Sequence, residues 1–243
     1  MTLIDTNNLL RTAVAALFPP TCVLCGAPGV DELDLCRGCQ DDLPVIGVGC
    51  ARCALPLPTA MAATGDAPLF CGSCQRSPPP FQHCHAVFRY EDPLPALIGG
   101  LKFRGRLNVL RLMGLLLARS LQDADIDRPE AIVPVPLHPR RLRQRGYNQA
   151  LELARIVGRL LQVPVDDRCC TRLIATQPQA ELDQKARRRN LRGAFSATLA
   201  LQAQHLAILD DVVTTGSTVS EVARVLRRAG CQRVDVWTIA RTP

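Results

Sequence analysis

Four Cys-x-x-Cys pairs, Cys22/Cys25, Cys36/Cys39, Cys50/Cys53 and Cys71/Cys74, fall within 53 residues of this 243-residue chain. Two thiolates three positions apart on a tight turn can face one tetrahedral ion, and a second pair completes a four-sulfur set. One such pair would suit a redox disulfide equally well, whereas four in close succession point to two structural zinc sites. An export signal begins with positive charge, but here Asp5, Asn7 and Asn8 precede the first basic residue, Arg11. A cytoplasmic chain with metal-binding rather than disulfide-forming cysteines is therefore expected. Gly26, Gly38 and Gly72 stand in or just after three of the pairs, where the backbone must turn sharply. Short connecting loops favour sequential ribbons (22, 25, 36, 39 and 50, 53, 71, 74), with an interleaved cross-brace as the alternative. A region so poor in large apolar residues cannot stabilise itself by burial, and metal substitutes for a core. Cys84, between His83 and His85, reads as part of an ordinary strand or loop, and Cys169, Cys170 and Cys231 as small core residues.

Ser77-Pro78-Pro79-Pro80 closes this region, since consecutive prolines continue neither a helix nor an inner strand. The expected organisation is an amphipathic helix over 1–18, a double zinc ribbon over 19–80 and an α/β domain over 81–243. Apolar residues make up 47% of the chain, enough for a core. No apolar run approaches the roughly 20 residues of a membrane span. The charge is uneven: residues 1–128 carry a net −1 and residues 129–243 a net +8, so an anionic partner is expected on the second half.

After the prolines, Ala86–Tyr90 reads as a strand, and Leu94–Leu101 and Leu107–Leu121 as helices. They flank a basic patch, Lys102-Phe103-Arg104-Gly105-Arg106. From Glu130 onward strands (Ala131–Val135, Val163–Val165, His205–Leu209, Val234–Ala240) alternate with helices (Asn148–Leu161, Thr218–Arg228). Such alternation specifies a parallel sheet covered by helices, with ligands at the carboxyl ends of the strands.

The stretch from Leu206 to Thr218 carries the chemistry. A buried apolar strand ends in Asp210 and Asp211, followed by Val212, Val213 and a loop of small residues, Thr214-Thr215-Gly216-Ser217-Thr218, that enters a helix. Unpaired N–H groups and the dipole at a helix start favour phosphate. Gly216 allows close approach and the hydroxyls add donors. The two carboxylates suit a ribose 2′,3′-diol, or Mg²⁺ bridging to diphosphate. Buried strands seldom end in two carboxylates without a use for them. There is no Gly-Lys-Ser/Thr, so this is not a Walker A loop.

Two basic segments can complete the site. Val135-Pro136-Leu137-His138-Pro139-Arg140-Arg141 leaves the first strand as a proline-stiffened loop toward Arg143 and Arg145. Gln184–Gly193 holds Lys185, Arg187, Arg188, Arg189 and Arg192. Residues 206–218 match the phosphoribosyltransferase signature. The whole chain resembles the ComF family, through its paired cysteines, Leu101-Lys102-Phe103, Val133-Pro134-Val135-Pro136, Arg145-Gly146-Tyr147-Asn148-Gln149, Arg189-Asn190-Leu191-Arg192-Gly193-Ala194-Phe195 and Asp210–Thr218. Glu181-Leu182-Asp183 departs from the family, where a shorter, less acidic residue is expected after the glutamine.

The resemblance implies a type I phosphoribosyltransferase fold behind a double zinc ribbon. It also implies a link to uptake of single-stranded DNA in natural transformation, beside a helicase-like partner. The candidate catalytic residues are then Asp210 and Asp211. The candidate ligand contacts are Val212, Val213, Thr214, Thr215, Gly216, Ser217, Thr218, Pro136, Leu137, His138, Arg145, Asn148, Gln149 and Arg189. Two functions compete. One is an enzyme that binds 5-phosphoribosyl-1-diphosphate with Mg²⁺ and transfers the ribose; the other is an adaptor for single-stranded DNA that keeps the pocket without catalysis. Aromatics at 4% limit base stacking in the second.

Overall fold

Two stretches of the chain repeat one small backbone design around their cysteines, and the second of them is built into an α/β sheet. The computed structural model describes residues 19–60, 67–104, 106–124, 126–175, 191, 193–198 and 203–243, without the side chains of 102–104. The expected helix over 1–18, Glu181–Asp183 and the basic cluster around Arg189 lie outside the described residues. The chain divides into two compact units, Met1–Leu43 and Pro44–Pro243.

In the first unit Thr21 bridges Pro28, the Cys22 N–H donates to Ala27 O, and the Gly26 N–H returns to Cys22 O. The five-residue helix α1 (Arg37–Asp41) starts directly after Cys36 and carries Cys39. Leu33 and Leu35 are fully buried. The second unit repeats each step. Gly49 bridges Pro56, Cys50 N–H donates to Leu55 O and Ala54 N–H to Cys50 O. Helix α2 (Gly72–Arg76) starts after Cys71 and carries Cys74. The residue that closes each turn is left-handed, Gly26 at φ 77° and Ala54 at φ 54°.

The sheet follows in the same unit. Its strands β1 (Cys84–Arg89), β2 (Ala131–Pro134), β5 (His205–Val213) and β6 (Arg233–Arg241) stand in the order β1-β6-β5-β2, all parallel. Strands β3 (Cys170–Arg172) and β4 (Phe195–Ala197) form a separate antiparallel pair. Among the described residues the unit also holds helices α3 (Leu94–Arg104), α4 (Leu107–Asp123), α5 (Pro139–Arg145), α6 (Gln149–Leu161) and α7 (Ser217–Arg228). In α6 the apolar residues Ala150, Leu153, Ala154 and Val157 recur at helical spacing, and this face packs on α4, β2 and β5. Val219, Val222, Ala223 and Leu226 do the same in α7. They join Leu206, Ile208, Val234, Val236, Phe195 and Cys170 in a core cluster that also takes in Ala150 of α6. Segment 44–46 covers the outer side of β1 through Ile46 N–H to Val87 O and Arg89 N–H to Pro44 O.

Most expected elements form, with three differences. Strand β5 runs on through Asp210 and Asp211 to Val213, because β6 keeps pairing with it (Asp210 opposite Thr238, Val213 opposite Arg241). The proline-stiffened segment after β2 stays a loop over 135–138 and then enters a helix, α5, since Pro139 sits at its first position, where no N–H is needed, and His138 Nδ1 accepts from Arg140 N–H at 3.2 Å. The short strand expected at Val163–Val165 is reduced to one parallel bridge, Ile132 to Val165.

Candidate functional site

Strand β5 delivers its two acids at the edge where loop and helix meet. Asp210 Oδ1 accepts from the Asp211 N–H and Asp211 Oδ1 from the Val212 N–H, each at 2.9 Å, so both carboxylates are oriented by their own backbone. The chain then turns through Thr214–Gly216 into α7. Gly216 is left-handed (φ 72°), a conformation that side chains resist, and it caps the helix. Thr215 Oγ1 and Ser217 Oγ lie 2.8 Å apart, and Ser217 is buried. Asp210, Val212, Val213, Thr214, Gly216, Ser217 and Thr218 line one small hollow at the helix start.

A second hollow, of about 190 Å³, shares Asp210 and Thr218 with the first. It adds Asp211, Leu137, Asn148 and Gln149, with three arginines, Arg141, Arg145 and Arg172. Burial, then the nearby Arg141, push the Arg172 guanidinium below its ordinary value, and Asp210 opposes them. Burial and the neighbouring Arg145 do the same to Arg141. A guanidinium does not give up its proton in a protein, so the result is concentrated positive charge facing two carboxylates. Gln149 is 3% exposed; its Oε1 accepts from Arg145 at 3.3 Å, while its Nε2 is buried with no partner among the described residues.

Sequence-expected contacts thus fall into overlapping groups. Leu137, Arg145, Asn148, Gln149 and Asp211 line the 190 Å³ hollow, Val212, Val213, Thr214, Gly216 and Ser217 the smaller, and Asp210 and Thr218 both. Thr215 lines a third cleft of about 900 Å³ between the second cysteine cluster and α7, which Val213, Thr214, Gly216 and Ser217 also border. Pro136 and His138 line none of these three; His138 caps α5 instead. Asn148 also ties the exit of β2 to the start of α6, where its Oδ1 accepts from Ala150 N–H and its Nδ2 donates to Val135 O, both at 3.1 Å. Arg172 is not among the sequence-expected contacts. It sits on a three-residue strand over the Phe195 ring, 5.3 Å from its centroid, and no motif surrounds it.

The cysteines assemble in sequential order, Cys22-Cys25-Cys36-Cys39 and Cys50-Cys53-Cys71-Cys74, each with its sulfurs within 4.8 Å of one another. A tetrahedral Zn²⁺ with bonds of about 2.3 Å separates its sulfurs by about 3.8 Å. The distances Cys25–Cys36 (3.6 Å) and Cys53–Cys71 (3.7 Å) fit that edge, and none of the described cysteines is in a disulfide. Burial raises the Cys50 thiol, but the N–H groups of Cys71, Cys53 and Arg52 outweigh it and bring it down to about 7. At Cys22 burial is likewise outweighed by the N–H groups of Cys36, Cys25 and Leu24, giving about 6. Cys74 is raised, by burial and then by Cys53, so full ionisation of that set awaits a cation. His85 is not a ligand: it is held near 4 by burial and bonds Ser120 Oγ at 2.9 Å.

The double zinc ribbon family model matches residues 13–75. The chain is 37% identical to the DNA utilization protein YhgH of Escherichia coli K12 over 229 residues, 92% of this chain and 98% of that protein. It is 33% identical to competence protein F of Haemophilus influenzae, covering 90% and 96%. The chain belongs to the ComF family. A more distant ComF relative, the competence protein ComFC of Bacillus subtilis, is 26% identical over 65% of this chain and 63% of that one. Among solved structures, a purine phosphoribosyltransferase from Pyrococcus horikoshii is similar at 17% identity and a TM-score of 0.34, covering 56% of this chain and 74% of that chain. The ComF chain thus joins two four-cysteine ribbons to a parallel α/β sheet.

Proposed function

We propose that this ComF-family protein binds 5-phosphoribosyl-1-diphosphate or a related ribose phosphate at the carboxyl end of β5, in the service of DNA uptake. The observation that carries the reading is the 190 Å³ hollow, in which three arginines and an unpartnered buried Gln149 donor face Asp210 and Asp211 beside the phosphate loop. Thr214–Thr218 would hold the 5′-phosphate, Asp210 and Asp211 the ribose hydroxyls, and Arg141, Arg145 and Arg172 the diphosphate. Mg²⁺, when bound, adds charge neutralisation between diphosphate and carboxylates, and the two aspartates are the hard oxygen donors that suit it. Transfer would break the bond from ribose C1 to diphosphate as a nucleophile bonds to C1, with placed charges stabilising the cationic transition state.

The names of the relatives, competence protein and DNA utilization protein, support the link to DNA, as does the net +8 of residues 129–243. They equally favour a second reading, an adaptor for single-stranded DNA that keeps the pocket as a sensor beside a helicase-like partner. Residence in the cytoplasm belongs to the same proposal, resting on cysteines gathered in metal-binding sets. So does the division by chemistry into a leading helix (1–18), ribbons (19–80) and a phosphoribosyltransferase-like domain (81–243).

Calorimetric titration of 5-phosphoribosyl-1-diphosphate with Mg²⁺ into the zinc-loaded chain tests the reading. Asp210→Asn/Asp211→Asn is expected to weaken binding on the order of a hundredfold, the loss of two charge-assisted hydrogen bonds. Absence of heat from the folded wild type would sink the pocket and leave the adaptor.

A further inference from the structure

Arg241, at the end of β6, is 7% exposed, and its guanidinium is surrounded by carbonyls. Its Nε donates to Cys53 O at 3.1 Å. Its Nη1 donates to Val213 O at 3.2 Å, to Thr242 O at 2.6 Å and to Thr214 O. The Thr242 N–H also donates to Val213 O, at 3.1 Å. One side chain therefore grips the second cysteine turn with one nitrogen and the start of the phosphate loop with another. All of these residues belong to one compact unit.

A buried guanidinium needs a counter-charge, and among the described residues no carboxylate pairs with Arg241. The nearby cysteine set can provide one. Four thiolates around Zn²⁺ leave a net charge of about −2, and Cys53 is both a member of that set and the carbonyl partner of Arg241. Groups one bond removed from a metal's ligands orient those ligands and tune the centre.

We propose that Arg241 is a positioning residue through which zinc at Cys50, Cys53, Cys71 and Cys74 sets the shape of the Val213–Ser217 loop. The metal cluster holds the guanidinium, the guanidinium holds the Val213 and Thr214 carbonyls, and the loop's N–H groups are thereby left facing the phosphate hollow. The effect on ligand affinity rests on the ribose-phosphate reading above; the effect on the loop does not. Linkage is reciprocal, so a phosphate ligand in the loop must also retain zinc at this centre and not at Cys22–Cys39.

The test uses the full zinc-loaded chain as wild type, Arg241→Met and Arg241→Lys. A chelator removes zinc while alkylation, read by mass spectrometry, reports which cysteines have been freed. Hydrogen exchange of peptides spanning 210–220 is followed in parallel. In Arg241→Met, zinc is expected to leave the Cys50–Cys74 set about tenfold faster, with the other set unchanged. Amide exchange at 214–217 rises with it, and Arg241→Lys, which keeps the charge, lies between. In the wild type alone, stripping the second set is expected to raise exchange at 214–217 more than in β2 and α6 peptides of the same unit, which decides the matter even if both variants misfold. Unchanged loop exchange on zinc loss, or equal acceleration at both centres, overturns the proposal. A wild type that binds no 5-phosphoribosyl-1-diphosphate removes the affinity claim and the pocket reading together, while exchange and release still decide the coupling.

Discussion

The two cysteine centres share a backbone design and differ in what surrounds it. Both close a turn with a left-handed residue and place their last two ligands at the start of a five-residue helix. In the first, Cys25 is exposed and Cys36 and Cys39 are partly so; in the second, Cys50, Cys71 and Cys74 are buried, and Cys53 packs against the core that holds Phe81, Ile208 and Val236. In both, an N–H of the helix-starting cysteine turns onto the lead sulfur: Cys71 N–H to Cys50 Sγ at 3.2 Å, and Cys36 N–H to Cys22. One local solution thus serves as a staple for a small unit in one place and as a wall of a folded sheet unit in the other. Metal affinity alone would not distinguish these roles; the consequences of losing the metal would.

The largest expected difference follows from removing one ligand at a time. Cys50→Ser should lower zinc content from two per chain to one and destabilise the sheet unit by about 5 kcal/mol, the scale of a lost structural metal. Cys22→Ser should lower zinc content equally and leave both the sheet's melting transition and the ligand titration unchanged. Metal analysis with thermal unfolding reads both, and similar melting losses would break the contrast.

A smaller effect concerns acidity. Both lead thiols lie below the ordinary thiol value, so their thiolate contribution is complete above about 9 and is lost as pH falls through the folded value. That value is about 6 at Cys22 and about 7 at Cys50. The single-centre variants, stripped and refilled with cobalt, should therefore both lose uptake as pH falls below neutral, each set giving up its lead thiolate last. Absorbance of the cobalt–thiolate band against pH checks this, and uptake independent of pH at either centre would refute it.

The smallest effect sits at the turn-closing residue. Gly26→Ala forces a side chain into the left-handed region and should cost about 1 kcal/mol. Ala54→Gly relieves similar strain but removes a methyl that is 7% exposed, worth about 0.8 kcal/mol, so little net change is expected. Denaturant unfolding of zinc-loaded protein resolves the pair.

Much of this could be read in the sequence where one residue type has one physical use. Cys-x-x-Cys spacing gave the metal sets, and the apolar run into Asp210 and Asp211 gave β5 and the place of the site. The helical spacing of apolar residues in 107–121 gave α4, and the alternation of strands with helical stretches gave α6 and α7. Less was legible where a residue has two uses. Pro139 stiffens a loop or starts a helix, and the neighbouring His138 cap decided for the helix. Asn148 lines the larger hollow and caps α6 at the same time. Strands β3 and β4 are three residues each, too short for any alternation to show, so Arg172 had nothing to mark its arrival beside Asp210. The proline run at 78–80 suggests a boundary, yet the second cysteine set shares a compact unit with the sheet, through contacts such as Arg241 to Cys53 that join residues 188 positions apart.

The sheet order has a consequence for how the chain is made. Strand β6 comes last in sequence but lies inside the sheet, hydrogen-bonded to β1 on one side and β5 on the other. During synthesis the cysteine turns and the β2–β5 pair can form from what has already emerged, while β1 waits with an open edge for a strand some 150 positions later. Until β6 emerges, the chain therefore displays an incomplete sheet whose edges on β1 and, once it too is out, β5 are sticky.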